Sequence, residues 1–167
     1  MWFCQISFTT ESNLNPPLKK VNKAINKIWK TTEFEIIKNE DINCNESGCW
    51  YKVISDKEEI GLIYNGRINS CRSGGCSVDL SLDAISYEYF DYLLFTDNKG
   101  EVLWIKIYNY QATQGHEVMS RGWLNQFNGV NAEEELEFGR DIEAISGATV
   151  SAKAITSDIQ NVLGCAF

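Results

Sequence analysis

The chain has 167 residues, enough for one domain with a sizeable core, of which 44% are apolar and 23% charged. Lys and Arg number 15 and Asp and Glu 23, a formal charge of −8. No basic patch stands out beyond the Lys19–Lys30 stretch, which argues against nucleic-acid binding. No apolar run reaches the roughly 18–20 residues that a membrane-spanning helix needs.

Residues Met1 to Phe8 form a short apolar stretch. It reads either as the remnant of a secretion leader or as a buried first strand. Residues 9–15 are polar and read as a loop. Pro16 and Pro17 then open a helix, a favoured place for proline. Leu18, Val21, Ala24, Ile25 and Ile28 recur at spacings of three and four, which predicts an amphipathic helix over 17–30. Phe34 to Ile37 reads as a strand. The Asn-rich piece from Asn39 to Gly48 reads as a loop.

Trp50–Ile54 and Ile60–Ile68 read as strands, with Asn65-Gly66 as a tight turn or bulge. Tyr89–Thr96 and Val102–Tyr110 are strand-like. The turn Asp97-Asn98-Lys99-Gly100 joins them. Both faces of 102–110 carry apolar residues, which predicts a central strand. Ser120–Phe127 reads as a short helix with Trp123, Leu124 and Phe127 packed in the core. Residues 128–145 are mostly irregular, and a last helix runs from about Val150 to Leu163. Strands in succession with helices at the ends predict an α+β fold, a mainly antiparallel twisted sheet flanked by helices, in one domain over 1–167. Residues 1–15 stand apart as a leader remnant or an N-terminal extension.

Six cysteines are many for this length. Cys44 to Cys49 and Cys71 to Cys76 are both Cys-x4-Cys with Ser-Gly inside. An even count points first to disulfides, hence an oxidising compartment. The leaning is towards two local loops, Cys44–Cys49 and Cys71–Cys76, with Cys4 and Cys165 near the ends either paired or free. Zinc favours a closer ligand spacing, and the plant-type iron–sulfur pattern lacks its third close cysteine. Metal therefore ranks below disulfide.

The most informative stretch is Asp141-Ile142-Glu143-Ala144-Ile145-Ser146-Gly147-Ala148-Thr149-Val150-Ser151. It lies where the last helix begins, because Ile155, Ile159, Val162 and Leu163 fall on one helical face. A helix entry offers unpaired N–H groups and a positive dipole end, which suit a phosphate. Gly147 permits close backbone approach, Ala148 adds no bulk and Thr149 places a hydroxyl there. Ser and Thr before a helix are also ordinary N-caps. The two readings are compatible, since a phosphate can occupy a cap site.

Ser146-Gly147-Ala148-Thr149, with its flanking residues and its place near the C-terminus, resembles the FMN-binding domain family. That family includes the C subunit of the sodium-pumping NADH:quinone oxidoreductase and the G subunit of the Rnf complex. The resemblance implies an FMN-binding-domain fold and FMN joined through its phosphate to Thr149 by a flavin transferase that uses FAD. Ser146, Gly147, Ala148 and Ser151 would surround that attachment. Glu143 stands where the family pattern has Asp. Gln111 to Glu117 lies where the family carries Glu-Thr-x-Gly beside the flavin. Thr113 and Gly115 match, and Ala112 replaces the Glu. Trp123, in a segment resembling the family's Gln-Phe stretch, joins the candidate cofactor-binding set as a wall for the ring. His116 and Glu117 read as solvated surface groups.

The resemblance implies an electron-transfer flavoprotein. Its partners would be redox proteins or a membrane electron-transport complex. Its place would be extracytoplasmic, periplasmic or membrane-associated on the outer side of the inner membrane. No nucleophile, acid and base set supports independent turnover. A non-covalent FMN protein and a disulfide-stapled binding module without cofactor are the alternatives.

Overall fold

A computed structural model describes residues 16–42, 47–72 and 87–167, the side chains at 71, 72 and 87 aside. The apolar stretch at 1–8 and the Cys71–Cys76 loop therefore lie outside the described residues.

The chain forms helix α1 (Leu18–Trp29), then strands β1 (Glu35–Lys38), β2 (Gly48–Ser55), β3 (Glu58–Arg72), β4 (Tyr87–Thr96) and β5 (Val102–Tyr110). A short helical run follows: the 3-10 turn His116–Met119, helix α2 (Arg121–Leu124) and the 3-10 turn Asn125–Phe127. Helix α3 (Thr149–Ala166) closes the described fold. The strands make one sheet in the order β1-β2-β3-β4-β5, with every pair antiparallel. This is the α+β architecture expected. No described helix is long and apolar enough to cross a membrane.

Alternation along the strands splits the core in two. Val21, Ala24 and Ile25 of α1 pack with Ile36, Tyr51, Val53, Ile63, Leu93 and Phe95 on one face. On the other, Leu62, Tyr64, Phe90, Tyr92, Leu94 and Ile107 meet Ile155, Ile159, Val162 and Leu163 of α3. The predicted spacing matches the buried face of α3 and, in α1, that of Val21, Ala24, Ile25 and the half-buried Ile28, while Leu18 at the start of α1 is exposed.

Two readings are corrected. β5 is an edge strand rather than a central one. Its faces are both apolar because the two cores extend over it, with Trp104 and Tyr108 on the α1 side and Ile105 and Ile107 on the α3 side. Its outer edge is partly paired by the loop after Phe127, through Val102 N–H to Val130 O at 2.7 Å and Gly129 N–H to Val102 O at 2.8 Å. Asn65-Gly66 is neither turn nor bulge. It lies within β3, paired with Cys49 and Gly48 on one side and Leu93 and Tyr92 on the other. The β2–β3 turn is instead Asp56-Lys57, both at positive φ (52° and 69°). Gly48 and Gly66 are cross-strand partners under the Tyr64 ring, and a Cβ on either would collide with that ring.

Cys49 is a free thiol, so the expected Cys44–Cys49 closure is not made. Cys165 is disulfide-bonded.

Candidate functional site

Helix α3 begins at Thr149, with Ala148 at the N-cap. Ala148 carries no hydroxyl, and no side chain caps the helix. The first turn holds no acidic residue either. The initial N–H groups of an 18-residue helix thus lack the side-chain acceptors that usually satisfy them. The simple capping role for Ser146 or Thr149 is not realised.

The residues around this mouth alternate between anchored and exposed. Ile142 and Ala148 are buried at 1% and 3% exposure, while Glu143, Ala144, Ser146, Gly147, Thr149 and Val150 face solvent. Among the described residues the Thr149 hydroxyl makes no hydrogen bond. Gly147 takes φ +84°, a conformation that favours glycine, and turns the chain into the helix. Val150 leaves an apolar side chain 47% exposed beside it.

Ser151 differs from its neighbours. It is 3% exposed and points inward to Ser70 Oγ of β3 at 2.8 Å and the Tyr110 hydroxyl at 3.2 Å. Tyr110 in turn donates to the Gln114 carbonyl at 2.7 Å. These bonds pin the first turn of α3 onto the end of the sheet.

The Gln111–Glu117 segment comes to the same place. Gly115, at φ +82°, lies so close that a Cβ would meet Ser151 Oγ and the Tyr110 hydroxyl, each at 2.9 Å, and Ala148 Cα at 3.6 Å. Its bareness serves contact with the protein's own helix mouth. Thr113 is exposed, and Glu88 accepts both its N–H (3.1 Å) and its hydroxyl (2.8 Å). Trp123 is 6% exposed and packs edge-on to Phe127. Its indole N–H donates to the Glu143 carbonyl at 2.8 Å.

Sequence reasoning undervalued three neighbours. The Glu117 carboxylate approaches Gly147 so closely that a Cβ there would be 3.3 Å from it. The His116 ring lies 4.6 Å from the Tyr110 ring, which stacks on Phe90 at 5.4 Å. Gln126 accepts the Glu143 N–H at 2.8 Å. Only the Gln-Phe resemblance hinted at the last of these.

Other polar groups lie elsewhere. A cavity of about 10 Å³, room for one water, sits under α1 between Val21, Ile36, Tyr51 and Leu93, on the opposite side of the sheet. Tyr92, fully buried, donates to Asp158 of α3 at 2.6 Å. Burial pushes the Asp158 carboxyl up, and the Tyr92 hydrogen bond only partly offsets this.

An α+β fold whose sheet carries a long helix with an open, uncapped entry and an outward hydroxyl defines a protein suited to a phosphate-bearing cofactor. Residues 91–164 match the model of the FMN-binding domain family. The matched part runs from Asp91 in β4 through the Thr149 turn to Gly164 in α3. The match supports a flavin-binding protein, and the cofactor that the matched family implies is FMN. Comparison with curated proteins returns no match.

Proposed function

We propose that the chain is an electron-transfer flavoprotein that carries FMN in phosphoester linkage to Thr149. The supporting observation is the outward, unbonded hydroxyl at the first position of an uncapped helix. The residues present suit the group. Gly147 leaves the approach bare, and the N–H groups at the α3 entry offer donors to phosphate oxygens. The attachment balances as an exchange of esters: the Thr149 oxygen bonds to the FMN phosphorus of FAD, the diphosphate bond breaks, AMP departs and the hydroxyl proton is released. A separate flavin transferase carries out that exchange.

FMN supplies one- and two-electron redox chemistry when bound. The protein fixes where it sits. Ser151, tied to Ser70 and Tyr110, holds the mouth against the sheet. Exposed Glu133, Glu134, Glu135, Glu137 and Glu143, together with the net charge of −8, favour redox partners or a membrane complex that present basic patches. Six cysteines and the bonded Cys165 support an extracytoplasmic location.

Intact mass after co-expression with a flavin transferase tests this. The wild-type chain gains FMN less one water, and Thr149→Ala gains nothing. An unmodified wild-type chain removes the covalent reading. Glu143 in the place of Asp favours the second reading, FMN held by the same mouth without a bond. In that case denaturation strips the yellow colour from the chain.

A further inference from the structure

Among the described residues near the acceptor turn, exposed Glu143 has its backbone held on both sides by side chains. The Trp123 indole N–H donates to its carbonyl at 2.8 Å, and its own N–H donates to Gln126 Oε1 at 2.8 Å. Gln126 Nε2 closes the arrangement by donating to the Trp123 carbonyl at 3.1 Å. The amide of Gln126 is thereby oriented from both ends, since its oxygen faces a donor and its NH2 faces an acceptor.

The two holding residues stand three apart on the short helical run, so one rigid turn presents both. Ile142, immediately before, is buried at 1% exposure, and its carbonyl accepts the Gly139 N–H at 2.8 Å. Ala148, five residues after the held one, is buried at 3%. Between these anchors the chain bows outward, with Glu143, Ala144, Ser146 and Gly147 exposed and Ile145 half-buried, and Thr149 is exposed just past the second anchor.

We propose that Trp123 and Gln126 are positioning residues that fix the Glu143 backbone, so that its carboxylate and the Thr149 hydroxyl are offered to the flavin transferase in one set geometry. The inference rests on covalent attachment at Thr149. Neither residue touches the reacting atoms. Their effect passes through the backbone, because a held Glu143 removes the rotations that would let the bow wander. Reaction rates are sensitive to such displacement: about 1 Å of misplacement can cost about 100-fold.

Gln126→Met keeps length and apolar stem but removes both hydrogen bonds, and Trp123→Phe removes the indole donor together with some buried ring volume, so its folded state is checked by thermal unfolding beside wild type. Gln126 is half-buried, so its replacement leaves the fold standing. The attachment rate at limiting transferase and FAD is read by intact mass. Amide hydrogen exchange at Glu143 is read on the same flavin-free chains. Both variants should lose attachment rate by about 10–100-fold. Exchange at Glu143 should rise at least about tenfold in Gln126→Met, by release of the hydrogen bond. Faster exchange with an unchanged attachment rate would leave the two residues merely structural and overturn the proposal. Unchanged exchange would overturn the clamp itself. Absence of flavin on the wild-type chain would instead sink the covalent reading, whatever the variants do.

Discussion

The two faces of the sheet use polar residues in opposite ways. On the α1 side, Arg67, Asp91 and Asn109 stand directly opposite one another on β3, β4 and β5. Arg67 grips Asp91 with two bonds, at 2.7 and 3.0 Å, and Asn109 donates to Asp91 at 2.6 Å. Tyr89 lies under the guanidinium at 3.9 Å. Close by, Tyr108 donates to the buried Asn65 at 2.7 Å. Burial, and then the Asp91 charge, pushes the Tyr108 hydroxyl well above the usual phenol range. Every group in this cluster is partnered. On the α3 side, the helix mouth leaves its donors without side-chain acceptors and turns its hydroxyl to solvent. The first arrangement holds the fold, and the second is available to a ligand.

That contrast can be broken by mutation. Arg67→Ala strands a buried carboxylate with only Asn109 beside it and should cost about 3 kcal/mol in urea unfolding. The folded fraction should still accept flavin at the wild-type rate. Loss of attachment in folded protein would mean that the two sides are not separate. Gly66→Ala drives a methyl into the Tyr64 ring and should cost about 1–3 kcal/mol. A neutral result would show that the ring can retreat.

Asp158→Asn tests the α3 side in the reverse direction. The folded carboxyl is held above its ordinary value by burial. Its contribution is therefore fully present at low pH and is lost as pH rises through the folded value. The variant escapes that loss, so it should be more stable than wild type at neutral pH by on the order of 1 kcal/mol. The difference should vanish below the carboxylate range. A pH-independent difference would contradict this assignment. Thr149→Ala should change stability by less than about 0.5 kcal/mol, because an exposed, unbonded hydroxyl holds nothing. A larger cost would show that the hydroxyl has a structural partner in solution.

Local patterns in the sequence made α1, β5 and the Asp97–Gly100 turn legible, since each follows from spacing or turn residues within a dozen positions. The helix entry at Thr149 was legible for the same reason. Strand order was not. Nothing in the alternation of 102–110 distinguishes a central strand from an edge strand covered on both faces. Gly66 was misread because its reason lies two residues back, in the Tyr64 ring, and not in backbone freedom. The surroundings of Thr149 were legible only in part. Thr113, Gly115 and Trp123 carried a resemblance, but what they touch could not be seen. Gly115 meets Ser151, Thr113 meets Glu88 and Trp123 meets a carbonyl twenty positions on. Such pairings depend on the assembled sheet and leave no periodic trace.

The bond between Ser70 and Ser151 joins positions 81 apart, whereas each strand pairs with its immediate predecessor. Hairpins can zip in succession, but docking of α3 must wait for a long chain closure. Once docked, the helix keeps Ile155, Ile159, Val162 and Leu163 at no more than 1% exposure, so it comes away only when the main core opens. Its leading end, tied through Ser151 to Ser70 and Tyr110, is therefore a fixed mooring on the sheet for as long as the fold is intact.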